Sequence, residues 1–245
     1  MINRYSITAI ILMMIVIISY IVQFSWNLGY KVSEKTADWV NFSDYVGGLI
    51  TPLLSFLSLV LLIQSLNLQN DANKELRSEV KLNQQSEKMR SFEAYFFGLI
   101  SSQRTSFSSF KLIFPIYFGG RELSGVSAVQ ELEDLIEKFR GKGWKEKYIM
   151  KGINRIDKNE NIFNTIRIFY NIVKMISERL SDDNGFNYDA RKIQFLTLIN
   201  FTEFSQLRVV MICMQFMDWQ SANYLKDNKE FIDVLEELGG GVNLY

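Results

Sequence analysis

Uncharged apolar stretches dominate the first part of the chain. From Tyr5 to Phe24 no charged residue interrupts a run rich in Ile, Leu, Met and Val. That suits a helix crossing a hydrocarbon core, which takes roughly 20 residues for about 30 Å. The following Gln23-Phe24-Ser25-Trp26-Asn27 offers no small-x-small cleavage pattern, so an uncleaved anchor is expected rather than a signal peptide. A second uncharged stretch runs from Tyr45 to Asn70 around Leu49-Ile50-Thr51-Pro52-Leu53-Leu54-Ser55-Phe56-Leu57, and its length favours a second span over a buried core helix. Pro52 falls early in it, where a missing amide donor costs least. Trp26, Trp39 and Tyr45 lie near the ends of the two stretches, as interfacial aromatics do. The pattern predicts a transmembrane hairpin over residues 1–68, with spans at about 5–24 and 45–68.

Beyond it the pattern turns amphipathic. Leu68, Ala72, Leu76 and Val80 recur every four residues, and neither Pro nor Gly occurs from Leu53 to Phe97, so the second span is expected to continue as a stalk helix over 69–100. The dense aromatic run Phe92-Glu93-Ala94-Tyr95-Phe96-Phe97 marks its entry into a core. Residues 101–245 read as a helical cytoplasmic domain. Ser127 and Gln130 suggest a capping-box start for a helix through Leu132, Leu135, Ile136 and Phe139. Asn161 to Leu180 places Ile162, Ile166, Phe169, Val173 and Ile176 on one face and stops at Asp182-Asp183-Asn184-Gly185. Asp189 to Phe201, Thr202 to Trp219 and Lys229 to Leu238 complete the set, the last ended by Gly239-Gly240-Gly241. No convincing alternating strand is evident, and Phe110 to Gly120 reads equally as a loop, a short strand or an apolar turn. The expected class is all-α, a two-helix transmembrane hairpin continuing through a stalk helix into a helical cytoplasmic domain.

Charge placement adds an orientation. Arg4 precedes the first span, Lys31 and Lys35 are the cations of the connection, and Lys74, Arg77, Lys81, Lys88 and Arg90 follow the second span. By the positive-inside rule this puts both termini in the cytoplasm and residues 25–44 outside, in a multi-pass protein of a bacterial inner membrane. Overall charge is balanced, with 27 Lys plus Arg against 27 Asp plus Glu, so no global electrostatic case for nucleic acid arises. The chain has no His and 1 Cys, which excludes a Ser-His-Asp or Cys-His pair, a His-containing zinc site and a CxxC redox pair. Cys213, within Val209-Val210-Met211-Ile212-Cys213-Met214, reads as a core residue. The acidic groups Glu131, Glu133, Asp134 and Asp182-Asp183 read as helix-start and turn charges rather than metal ligands. No enzyme, cofactor or metal ion is expected.

Two constellations remain as candidate sites. In the second span Asp44, Gly47, Thr51, Ser55, Ser58 and Ser65 recur along one helical stripe, with Gly48 and Pro52 beside it. Small and hydroxyl-bearing residues let membrane helices approach closely, so the stripe suits packing within the hairpin, contact between protomers, or a pore lining. In the cytoplasmic part, Lys138, Arg140, Lys142, Lys145, Lys147, Lys151, Arg155 and Lys158 stand against only Glu146 and Asp157, with Trp144 and Tyr148 interleaved. That segment reads as a solvated charged face, a patch for anionic lipid at about 1 kcal/mol per cation, or a surface for a phosphate backbone with aromatic stacking.

The segment Trp39-Val40-Asn41-Phe42-Ser43-Asp44-Tyr45-Val46-Gly47-Gly48-Leu49-Ile50-Thr51-Pro52 resembles phage abortive-infection proteins of the AbiC-like type. In these a first span is followed by a Trp-containing segment, Gly-Asp-x-x-Gly-Gly-x-x-x-Pro, a second span, a stalk and Phe-Glu-x-x-Phe-Phe. Phe92 to Phe97 fit the last motif, and Tyr188 to Gln215 is similar to the family's C-terminal helix pair, with Thr202-Glu203-Phe204 at its Leu-Ser-x-x-Glu-Leu position. Ser43 replaces the first Gly, the likeness is close over 39–100 and looser beyond, and 110–160 carry none of it. The resemblance implies a membrane-embedded effector of antiphage defence that disrupts the inner membrane or arrests the infected cell when a cytoplasmic sensor is triggered. The partners it implies are the lipid bilayer, further copies of the chain, and an upstream sensor such as a retron reverse transcriptase with its DNA–RNA hybrid. It supplies no catalytic mechanism and no small-molecule substrate. The competing reading is a membrane-tethered binding or scaffold protein that recruits a partner through its cytoplasmic domain.

Overall fold

The computed structural model describes residues 4–27, 29, 31 and 33–245. Contacts divide the chain into two units, Met1–Leu82 and Asn83–Tyr245. Helix occupies 81% of the described residues and strand 3%, so the all-α class holds.

In the first unit, α1 (Arg4–Ile21) passes into a π-helical turn, Val22–Asn27, and α2 (Thr36–Ser108) contains the second apolar stretch. Both are long and apolar enough to cross a membrane. The second helix starts well before the expected Tyr45, so the connection predicted over 25–44 is itself helical from Thr36. Its start is locally determined. The Lys35 backbone N–H donates to the Ser33 hydroxyl (3.0 Å), the Trp39 indole N–H donates to the Ser33 carbonyl (3.0 Å), and Asp38 in the first turn suits the positive end of the helix dipole. Pro52 lies inside α2 and withholds only the bond to the Gly48 carbonyl, and the helix continues through it. Two half-buried rows meet between the helices. Phe42, Val46, Ile50, Leu54, Leu57 and Leu61 form the row on α2, and Ala9, Met13, Val16, Ile17 and Tyr20 the row on α1. At one end the Tyr20 ring touches Phe24 (4.5 Å), Phe42 (4.6 Å) and Tyr45 (5.4 Å).

The second unit holds the main core. The last part of α2 enters it with Phe92, Phe96, Ile100 and Phe107 buried, a one-sided spacing that fixes which face of the helix docks. There follow β1 (Lys111–Ile113), β2 (Glu122–Ser124), α3 (Gly125–Gly141), α4 (Glu146–Ile156) and α5 (Asn161–Arg179). The chain closes with α6 (Tyr188–Phe201), α7 (Phe204–Phe216), α8 (Gln220–Asp227) and α9 (Lys229–Glu237). Together α6 and α7 are apolar enough to count as a further span if joined, but they bend by 115°. Since α7 buries Leu207, Val209, Val210, Met211, Ile212, Cys213 and Met214 against its neighbours, its hydrophobicity is that of a core helix.

Four local expectations are corrected. Strands do exist: Leu112 pairs with Leu123 in a short antiparallel hairpin, whose connection, with Gly119 and Gly120 at φ 109° and 60°, uses the backbone freedom of glycine. The α3 helix starts at Gly125 rather than from a Ser127 and Gln130 capping box, because β2 runs straight into it and the Gly125 N–H donates to the Phe110 carbonyl (2.9 Å). The α4 helix occupies the basic segment, burying Ile149, Gly152, Ile153 and Ile156. A Cβ on Gly152 would stand 3.0 Å from the Phe139 ring, so glycine there permits close packing of α4 on α3. Finally, α7 ends at Phe216 rather than Trp219, and α8 follows as a separate helix.

Candidate functional site

The two predicted constellations lie in different units, and each is described by itself. In the first, Asp44, Gly47, Gly48, Thr51, Pro52, Ser55 and Ser58 are all exposed. None belongs to the α2 row that meets α1, and a Cβ added at Gly47 or Gly48 would meet nothing within 4 Å. The stripe thus lies off the half-buried side of α2. The Ser55 hydroxyl donates to the Thr51 carbonyl (2.8 Å), a bond internal to the helix that leaves the face itself uncovered. A recess of about 590 Å³ is lined by Ile15, Ile18, Ser19, Val22, Gln23 and Tyr45; its mixed polar and apolar lining carries no charged residue.

In the second unit the basic segment folds into the end of α3, the turn after it, and α4. All its cations, Lys138, Arg140, Lys142, Lys145, Lys147, Lys151, Arg155 and Lys158, are exposed, and none has an ion-pair partner among the described residues. Arg140 lies over the Phe216 ring at 5.7 Å. Of the two anions in the segment, Asp157 is buried and accepts the Ile162 and Phe163 N–H groups (2.8 and 2.9 Å), capping α5. Burial pushes its carboxyl above the usual range, against the lowering pull of those amide bonds. Between Lys138 and Lys158 that leaves Glu146 as the exposed anion, with Glu137 and Glu160 exposed just outside either end. An aromatic chain ties this face to the hairpin: Trp144 stacks on Phe139 (4.3 Å, 1°), Phe139 meets Phe118 (5.3 Å), and Phe118 meets Tyr117 (4.5 Å). Tyr117 is 63% exposed and Tyr148 55%.

Three of the acidic groups read as local charges find a specific partner. Glu131 pairs with Arg121, Asp182 with Arg191, and Glu133 with both Arg208 and the Tyr245 hydroxyl. Burial and the Glu133 hydrogen bond together raise the Tyr245 phenol well above its ordinary pKa. Among the described residues no group of three or more His, Cys, Asp or Glu is placed to hold a metal ion. Cys213 is fully buried and its thiol pKa is pushed well up by desolvation, which removes thiolate nucleophilicity. Sequence reasoning missed the Arg191 cluster. Its guanidinium reaches Glu230, Asp182 and the Leu180 and Phe186 carbonyls, partners too scattered along the chain to announce themselves.

No family model matches the chain, and no curated protein and no solved structure matches it either.

Proposed function

We propose that this protein is a membrane-embedded effector of antiphage defence, which assembles through its second span and, once a cytoplasmic sensor is triggered, breaches the inner membrane or arrests the infected cell. The observation that carries the reading is the exposed stripe of Asp44, Gly47, Thr51, Ser55 and Ser58 on α2. A face of glycines, hydroxyls and a carboxylate is a poor match for lipid tails and a good one for another helix, because small residues allow close approach and polar groups seek partners in hydrocarbon. The stripe coincides with the Asp-x-x-Gly-Gly-x-x-x-Pro part of the abortive-infection resemblance. Expression of the chain should then be toxic. Gly47→Leu or Ser55→Leu, which lipid tolerates but a tight contact does not, should relieve toxicity at an unchanged membrane level. Full toxicity from abundant, inserted variants would refute assembly through this face.

In this reading both termini are cytoplasmic and residues 25–44 external, following the cations that flank the spans. A cysteine at Ser33 should react with an impermeant thiol reagent added to intact spheroplasts, while Cys213, fully buried, stays silent. Protection of that cysteine until the membrane is opened would invert the orientation. The unpaired cations around α4 support a second reading, a membrane-tethered scaffold that recruits an anionic partner. It predicts no toxicity dependent on the stripe.

A further inference from the structure

We infer that the basic face formed by the end of α3, the following turn and α4 is a binding surface for single-stranded nucleic acid. This goes beyond the effector reading and stands or falls without it. The chain as a whole is neutral, with 27 cations and 27 anions, so the patch is not a by-product of a basic protein. Lys111 and Arg121 on the neighbouring hairpin are neutralised by Glu122 and Glu131, and Asp157 is committed to capping α5. Lys142, Lys145, Lys147, Lys151, Arg155 and Lys158 have no such partner among the described residues, so their charge complements an external polyanion.

The arrangement is more specific than a charge cluster. Because α4 buries Ile149, Gly152, Ile153 and Ile156, Lys147, Lys151 and Arg155 line up on its outer side at i, i+4 and i+8. At 1.5 Å rise per residue the cations step by about 6 Å, a row able to follow a phosphodiester backbone. Tyr148 sits beside the row, Trp144 at its start, and Tyr117 at the hairpin tip that Phe118 and Phe139 tie to the same face. Exposed aromatic rings among cations give unpaired bases a place to stack, whereas an acidic protein would need the charge but not the rings. The cations of this face and Tyr148 are all exposed within the unit, so a strand can reach them.

The test uses the full chain in uncharged detergent and a fluorescent oligothymidylate of about 20 nucleotides, read by anisotropy. If about four cations meet phosphates, affinity should fall on the order of 50-fold between about 50 and 200 mM salt. Combined Lys147→Gln, Lys151→Gln and Arg155→Gln should flatten that dependence. Tyr148→Ala, which leaves every charge in place, should weaken binding roughly 5- to 150-fold. All four positions are exposed, and an unchanged circular dichroism spectrum will show that each variant is folded. Absence of binding at low salt would overturn the proposal. So would equal affinity for polyglutamate with no effect of Tyr148→Ala, or equal affinity for vesicles containing phosphatidylglycerol, which would assign the face to acidic proteins or to lipid.

Discussion

Replacing Phe96 by Ala is expected to lower the stability of the second unit by roughly 3–5 kcal/mol, the usual cost of truncating a fully buried Phe. Phe96 is 0% exposed and stacks with Phe92 at 5.4 Å, and Phe97 meets it edge-on at 5.4 Å. It is the point at which α2 is gripped by the core, so the loss should appear both as a lower unfolding temperature of the purified protein and as poorer accumulation in cells. Phe97, adjacent in sequence but 49% exposed, provides the control. Its Ala variant should cost far less, because much of its ring already faces solvent. Equal effects at the two positions would mean that α2 is not docked through the Phe92, Phe96, Ile100 face.

The second large effect belongs to Arg191. Its guanidinium grips Glu230 with two bonds of 2.7 Å and also donates to the Leu180 carbonyl at 3.0 Å and Asp182 at 3.3 Å. These bonds tie α6 to α9 and to the turn after α5. The Glu230 hydrogen bonds, chief among the influences on it, hold the guanidinium further above its already high pKa, so the group is charged throughout the working range. Arg191→Ala would leave a buried carbonyl and Glu230 without partners. The expected loss is about 2–4 kcal/mol, at or below the usual range for a broken buried pair because the Glu230 side chain keeps 34% exposure. Lys should not substitute, since one ammonium cannot reproduce the planar two-pronged grip. Arg191→Met combined with Glu230→Leu should recover much of the loss, and a double-mutant cycle on thermal unfolding measures the coupling. Additive effects would show that the two side chains do not act as a pair.

What was legible in the sequence follows the physics of each signal. The two apolar helices, the aromatic entry into the core and α5 declared themselves because long one-sided or continuous hydrophobic patterns leave few alternatives. The β1–β2 hairpin did not, because strands as short as Lys111–Ile113 and Glu122–Ser124 cannot display an alternation. The α4 helix was hidden by the charge that makes its outer side interesting. Ile149, Ile153 and Ile156 carry a helical spacing, but lysines fill the gaps and Gly152 looks like a breaker until Phe139 is seen against it. The stripe on α2 was visible as a stripe, yet its direction was not. Only the half-buried row from Phe42 to Leu61 distinguishes the side facing α1 from the side left open. The Arg191 and Glu133 clusters join residues far apart in the chain, a kind of contact that local pattern does not encode.

In the proposed reading the chain acts on the bilayer through its two apolar helices. Membrane potential, followed with a voltage-sensitive dye in cells expressing either the whole chain or residues 69–245 at matched levels, tests it most directly. Depolarisation should accompany the whole chain, disappear without residues 1–68, and be suppressed by Gly47→Leu in a protein that still reaches the membrane. Growth arrest by residues 69–245 alone with the potential intact, or full depolarisation by an abundant Gly47→Leu variant, would contradict it.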